Sequence, residues 1–277
     1  TKEQYRGDAR RYLEKGQITS LELRELTVQN VEAWLQYVAD NHGAQAAVAG
    51  RKILSQVLGM CVRFGALQYK VTREVKVPRP KATKATVRDT RRAFTKEERD
   101  AVVAKADALD ADGLLDYADL VAFLAGTGVR MGEALTAVSW PDFDPEAGTF
   151  HIKGTKTEYS DRVLNLPGWL TERLKARYEA MKEQGRSVDG LVFTSPRVSS
   201  TEPRDQRNAN RFVRKVLDEA GFPWATSHTF RRTVATLVGE QIGVRAAADQ
   251  LGHSNPAMTQ SVYLGRRGDL SKVAEVL

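Results

Sequence analysis

Thr226-Ser-His228-Thr-Phe-Arg231, followed by Leu251-Gly-His253 and Tyr263, is the stretch that decides how this chain reads. Ser227 is a good N-cap, so His228 and Arg231, three residues apart, share one face of the predicted helix. Phe230, Val234 and Leu237 cluster on the other side, which predicts that His228 and Arg231 flank a buried stripe and project at its edge. A second helix through Ala246–Ala248 stops at Gly252, so His253 falls just past a helix C-terminus. An HxxR pair by itself is equally well explained by a capped helix with a surface His and Arg. The order of all the pieces together is far more specific.

An isolated Arg130 stands upstream in Thr127-Gly-Val-Arg130-Met-Gly-Glu133. It falls near the first turn of a new helix, where backbone N–H groups favour an anion. Two arginines and two histidines can hold the charge of a phosphodiester while a phenol attacks its phosphorus. A phenol has a pKa of about 10 and is a poor nucleophile at neutral pH unless its proton is removed or its charge stabilised. Arginines beside the phosphate serve both needs. Tyr263 is one of eight tyrosines, set apart by its polar segment ten residues after His253. A zinc site on His228 and His253 is disfavoured, because neither cysteine nor clustered carboxylate accompanies them. The reading calls for no metal and no cofactor.

Outward from these residues, the charge is unevenly spread. The 277 residues carry a net charge of +7, yet residues 1–92 alone hold 18 Lys/Arg against 9 Asp/Glu, leaving −2 for the rest. Eight acidic residues lie between Ala93 and Leu120 against three basic ones. A second basic cluster, Arg204, Arg207, Arg211, Arg214 and Lys215, interrupts this acidic half. A basic front end plus a basic helix suits a DNA footprint better than an ordinary solvated surface. No run approaches the roughly 20 apolar residues of a membrane span, and no signal peptide opens the chain. The single cysteine, Cys61, excludes an internal disulfide and fits a reducing cytoplasm, the expected location.

Residues 1–77 read as helices joined by short turns. Thr27 can cap a helix with Val31, Trp34, Leu35 and Val38 on one stripe, and Ile53, Val57, Cys61 and Phe64 predict a second apolar face. From Val77 the chain turns proline- and lysine-rich, an extended linker over 78–92 whose Arg79, Lys81 and Lys84 can track a phosphate backbone. Order resumes where Thr95 and Glu98 form a capping box. An apolar helix from Leu114 to Ala125 breaks at Gly126-Thr-Gly128. Thr149 to Pro167 is the one clear strand region, with Phe150 and Ile152 alternating inward, a turn at Gly154–Thr157, and Leu164 and Leu166 on the way back. Helices follow over Leu170–Lys182 and Ala209–Ala220.

On these motifs the chain resembles the tyrosine recombinase, or phage integrase, family over nearly its whole length. Thr127–Glu133 looks like the family's first-arginine motif, His228-Thr-Phe-Arg231 like its HxxR box and Leu251-Gly-His253 like its second-histidine motif. Tyr263 takes the nucleophile position. The family places a lysine in a β-hairpin turn between the arginine boxes. Lys156 matches it best, with Lys153 as the rival. The resemblance implies a mainly α fold with a small antiparallel β region: a helical core-binding domain (1–77) and a catalytic domain (93–277) closing as a C-shaped clamp on DNA. It implies that Tyr263 attacks a DNA phosphate to give a 3′-phosphotyrosyl link and a free 5′-hydroxyl. Arg130, Arg231 and His253 would stabilise the phosphate, His228 assist deprotonation, and Lys156 protonate the departing 5′-oxygen.

The implied activity is site-specific recombination, as the integrase of a phage or integrative element, by a homo-tetramer on two synapsed duplexes. A DNA-bending or directionality protein would be a further partner. A chromosome-dimer-resolving recombinase shares the same chemistry. A non-enzymatic helix-turn-helix regulator, loosely mimicked by Gly239 to Tyr263, gives no reason for Arg130, the hairpin lysine and Tyr263 together. The tail after Tyr263 (264–277), in which Ser271 can cap a short helix carrying Val273, Ala274, Val276 and Leu277, is expected to dock on the neighbouring protomer. Many family members carry an arm-binding domain ahead of the core-binding one; no counterpart is seen before Thr1, and the expectation is that it is either removed or naturally absent.

Overall fold

The structure is a computed structural model that describes residues 2–14, 17–78, 92–111, 116–154, 161–195 and 202–252. The chain divides into two compact units, Thr1–Lys84 and Ala85–Leu277. The stretch holding Arg79, Lys81 and Lys84, expected as a linker, lies outside the described residues.

In the first unit, α1 (Lys2–Asp8) runs into a π-helical turn, and two longer helices, α2 (Val28–His42) and α3 (Ala44–Arg63), pack together. The Thr27 hydroxyl accepts the Asn30 N–H at 3.1 Å, capping α2 as expected, and Val31, Trp34, Leu35 and Val38 are buried. The face expected on α3 is corrected. Ile53 is buried, but Val57 is 45% and Phe64 81% exposed. The buried face runs instead through Ala46, Ala47, Gly50, Ile53, Leu54 and Leu58. Gly50 explains the choice, since a Cβ there would stand 3.0 Å from the Trp34 ring. The small residues let the two helices approach, and bulk alone does not mark the contact.

The second unit begins with α4 (Lys96–Leu109), where Thr95 and Glu98 cap each other reciprocally at 3.2 and 3.0 Å. At its centre lies α5 (Tyr117–Thr127), with Leu120 to Ala125 wholly buried, and Phe123 meets Phe150 and Phe193 edge-on. This helix ends within the expected Gly126-Thr-Gly128 stretch, at Thr127, with Gly128 as a left-handed C-cap. After α6 (Met131–Thr136) come β1 (Phe143–Asp144), β2 (Thr149–Ile152) and β3 (Arg162–Asn165), an antiparallel sheet in that order. The short β1 was not expected. Phe150 faces Leu164 and Ile152 faces Arg162 in register; Phe150, Ile152 and Leu164 are buried, while Leu166, past the strand end, is only half-buried.

Four helices complete the unit: α7 (Gly168–Glu183), α8 (Gln206–Glu219), α9 (Ser227–Gln241) and α10 (Val244–Leu251). The architecture is thus mainly α with one small antiparallel sheet. Among the described residues, no helix is long and apolar enough to cross a membrane.

Candidate active site

A cavity of about 340 Å³ lies where α6, α8 and α9 begin, lined by Arg130, Glu133, Gln206, Ser227, His228 and Arg231 among others. Three of the residues singled out in the sequence, Arg130, His228 and Arg231, therefore line one concavity although Arg130 lies far from the other two in the chain.

Arg130 occupies the N-cap of α6, with extended backbone. Its N–H donates to Glu133 Oε2 and its Nη1 to Glu133 Oε1, each at 2.9 Å, while the guanidinium remains about half exposed toward the cavity. Burial alone would raise the Glu133 carboxyl, but the Arg130 N–H bond and the charges of Arg162, Arg130 and Arg231 outweigh it and hold its pKa below the ordinary value.

Arg231 was expected at the edge of the buried stripe. It lies deeper, only 1% exposed, because two carbonyls take the place of water: Nη1 donates to Gly128 O at 3.0 Å and Nη2 to Leu251 O at 2.5 Å. The first carbonyl is that of the α5 cap and the second that of the last residue of α10, so a buried cation bonds the negative ends of two helices. Leu237, expected to be buried, is only partly so. The cap itself shifts by one residue. Thr226 is the N-cap and its N–H donates to the Thr229 hydroxyl, while Ser227 lines the cavity with its hydroxyl 3.3 Å from Asn210 Oδ1. His228 stands at the mouth, open to solvent on one side. Desolvation on its packed side, then the charges of Arg231, Arg232 and Arg130, lower its pKa below the ordinary histidine range.

Sequence reasoning passed over two cavity residues and one neighbour. Glu133 lay within the quoted motif but was given no role. Gln206 opens α8 beside Arg130 and carries no distinctive pattern. Arg162 is nearly buried at the start of β3, with Nε donating to Gln250 O at 2.9 Å. A signal for it existed, since Arg162 shares the inward face of Leu164 by the two-residue strand period, and an inward charge needs partners.

Lys156, His253 and Tyr263 lie outside the described residues, as does the tail beyond them. The structure does describe their approach: α10 ends at Gly252 in the left-handed conformation, as expected. The rival Lys153 is held by Asp142 Oδ1 at 2.5 Å.

Of the basic residues expected to meet DNA, Arg204 is corrected. It is 5% exposed, stacked 4.6 Å from the Tyr117 ring and 3.4 Å from Asp116 Oδ2, so its charge is spent inside the fold. Arg207 and Arg211 are exposed, one turn apart on α8, the helix whose first residue lines the cavity.

Residues 92–267 match the model of the phage integrase family. The XerC-like tyrosine recombinase of Caldanaerobacter subterraneus subsp. tengcongensis is 28% identical, the match covering 52% of this chain and 44% of that protein. The tyrosine recombinase XerA of Thermococcus kodakarensis is also 28% identical, covering 51% and 48%. The match thus spans about half the length of these two curated relatives. Among solved structures, the Tn1549 transposon integrase in complex with transposon right end DNA superposes with a TM-score of 0.74 at 14% identity, over 99% of this chain and 93% of that one. A lambda integrase dimer bound to a COC′ core site gives 0.68 at 19% identity, over 96% and 72%. By its matched residues the chain belongs to the phage integrase family, the tyrosine recombinases.

Proposed function

We propose that this protein is a site-specific DNA recombinase that cuts and rejoins DNA through a 3′-phosphotyrosyl intermediate. The observation that carries the reading is the convergence of Arg130, His228 and Arg231 on one cavity. Two guanidiniums can bind the nonbridging oxygens of a phosphate and stabilise the charge that grows on them as the phosphorus becomes five-coordinate. The lowered pKa of His228 keeps its imidazole neutral near pH 7, the form able to accept the proton of a phenol. The Tyr263 oxygen then bonds to phosphorus as the bond to the 5′-oxygen breaks, and Lys156 gives that oxygen its proton. His253, one residue past Gly252, would add a hydrogen bond to the phosphate. A 5′-hydroxyl from a partner duplex reverses the steps. One phosphoester replaces another throughout, so the exchange needs no ATP. A helix-turn-helix regulator offers no use for a buried Arg231 that lines a cavity with Arg130 and His228.

In this reading the first unit is the core-binding domain and the complete exchange uses four protomers, since two duplexes each lose two phosphodiester bonds. Integration of a mobile element is the role we carry forward. The Xer names of the curated relatives favour a second role, resolution of chromosome dimers. The test is to incubate the protein with a pool of randomised duplexes and isolate SDS-resistant adducts on a denaturing gel. Unmodified protein is expected to yield a recoverable sequence, and Tyr263→Phe none, although it still binds the recovered duplex. An adduct formed by Tyr263→Phe would overturn the assignment. A recovered sequence that matches DNA flanking the gene supports integration. One found elsewhere in the host chromosome supports dimer resolution.

A further inference from the structure

Arg162 opens β3 where the chain returns from the hairpin that carries Lys156. Ile152 lies opposite it in register, so the strand directs this guanidinium inward, and its side chain is 7% exposed. There its Nε donates to the carbonyl of Gln250 at 2.9 Å, and its Nη2 stands 3.6 Å from Glu133 Oε2. The same Glu133 oxygen accepts the Arg130 N–H, and the other accepts Arg130 Nη1. Gln250 in turn reaches the Thr127 carbonyl at 3.4 Å, one residue before the cap whose carbonyl holds Arg231. One side chain therefore touches the return strand of the hairpin, the carboxylate that grips Arg130, and the last turn of the helix that leads to His253.

We propose that Arg162 is a positioning residue for the phosphate site. It fixes Arg130 through Glu133, and it fixes the end of α10 through the Gln250 carbonyl. The proposal rests on the reading of Arg130 as a phosphate-binding residue. A half-buried carboxylate is costly, and a second cation offsets that cost, so Glu133 stays charged and in place to hold Arg130. The last carbonyls of α10 lack helical donors, and a guanidinium supplies one that also opposes the negative end of the dipole. Arginine suits the place because its fork sends Nε and Nη2 to acceptors on two different elements, whereas lysine offers a single point of charge.

The test uses the duplex recovered from the randomised pool, at saturating concentration and counted per folded molecule. Arg162→Gln is expected to slow adduct formation about 100-fold with affinity for the duplex unchanged, the size of effect a misplacement near 1 Å produces. Arg162→Lys should recover part of the rate. In a Glu133→Gln background, Arg162→Gln should add a smaller loss than it causes alone, because part of its effect passes through the same grip on Arg130 and only the Gln250 contact remains to be lost. Losses that multiply, or a fall in melting temperature with an unchanged rate, would overturn the proposal. Side-chain ¹⁵N NMR of Arg130 in the DNA-free protein gives a readout independent of cleavage. Its guanidinium rotation is expected to be hindered in the unmodified protein and free in Arg162→Gln, and unchanged rotation also overturns the proposal. If Arg130→Ala forms adduct normally, the phosphate reading of Arg130 fails, while the NMR measurement still decides whether Arg162 holds it.

Discussion

At the scale of single residues, His228 and Arg231 differ in how their chemistry is set. Desolvation, then three neighbouring guanidiniums, lower the His228 pKa, so the folded protein binds that proton less tightly than the unfolded chain does. Above about pH 6.5 both states are neutral there and the residue costs nothing; as pH falls below that value a stability penalty sets in. In histidine NMR of the DNA-free protein, His228 is therefore expected to titrate below pH 6.5, and a higher midpoint would contradict this. Glu133 has a lowered carboxyl pKa, so its contribution to stability is complete above about pH 4.5 and lost as pH falls through its folded value. Arg231→Leu leaves the Gly128 and Leu251 carbonyls without a charged donor, which should cost about 1–3 kcal/mol in a denaturant titration. The Lys153–Asp142 pair bears on the hairpin lysines. An alkoxide leaving group needs a proton and a thiolate hardly does, so Lys156→Ala should cleave a bridging 5′-sulfur substrate far faster than ordinary DNA. Lys153→Ala should show no such rescue, and rescue confined to it would exchange the two roles.

At the scale of elements, Gly128 is the joint on which the site turns. Its φ of +69° is left-handed, and a Cβ there would stand 2.9 Å from both Val234 and Leu251. Gly221, at φ +86°, has nothing within 4 Å of such a Cβ. Gly221→Ala should thus cost about 1 kcal/mol for backbone strain alone, and Gly128→Ala should cost about 1–3 kcal/mol more from overpacking. Equal losses in chemical denaturation would show that α9 and α10 give way easily. The consequence is functional as well, because the same carbonyl holds Arg231. The helices around this joint were legible from caps and periodicity: Thr27, Thr95 and Gly252 all mark ends that the structure shares. The α3 face was not legible, because Ala46, Ala47 and Gly50 define it by being small, while Val57 and Phe64 are apolar yet exposed.

At the scale of the molecule, charge separates the two units more than size does. Residues 1–92 carry +9 and the rest −2, so the full chain should bind an arbitrary duplex with a steeper dependence on salt than residues 93–277 alone. Arg207→Gln and Arg211→Gln should each reduce the slope of log K against log salt by roughly one. Arg204→Gln should leave that slope unchanged and lower the melting temperature, since its guanidinium already faces Asp116 and Tyr117. A slope change for Arg204→Gln would mean that this side chain leaves the interior when DNA binds.

The sequence by itself marked Arg130, His228 and Arg231, which the structure brings to one cavity, and most of the helices and the small sheet around them, because caps, glycines and apolar periods are local properties of the chain. Only the tertiary structure decided which charges remain available to a partner. Arg130 and Arg231 look alike as letters, yet one is half exposed at an N-cap and the other buried between two helix ends. Arg204 and Arg207 are likewise close in sequence, but one stacks inside on Tyr117 and the other faces solvent. Whether a guanidinium meets water, a carbonyl or a carboxylate depends on elements distant in the chain, and composition holds no record of that.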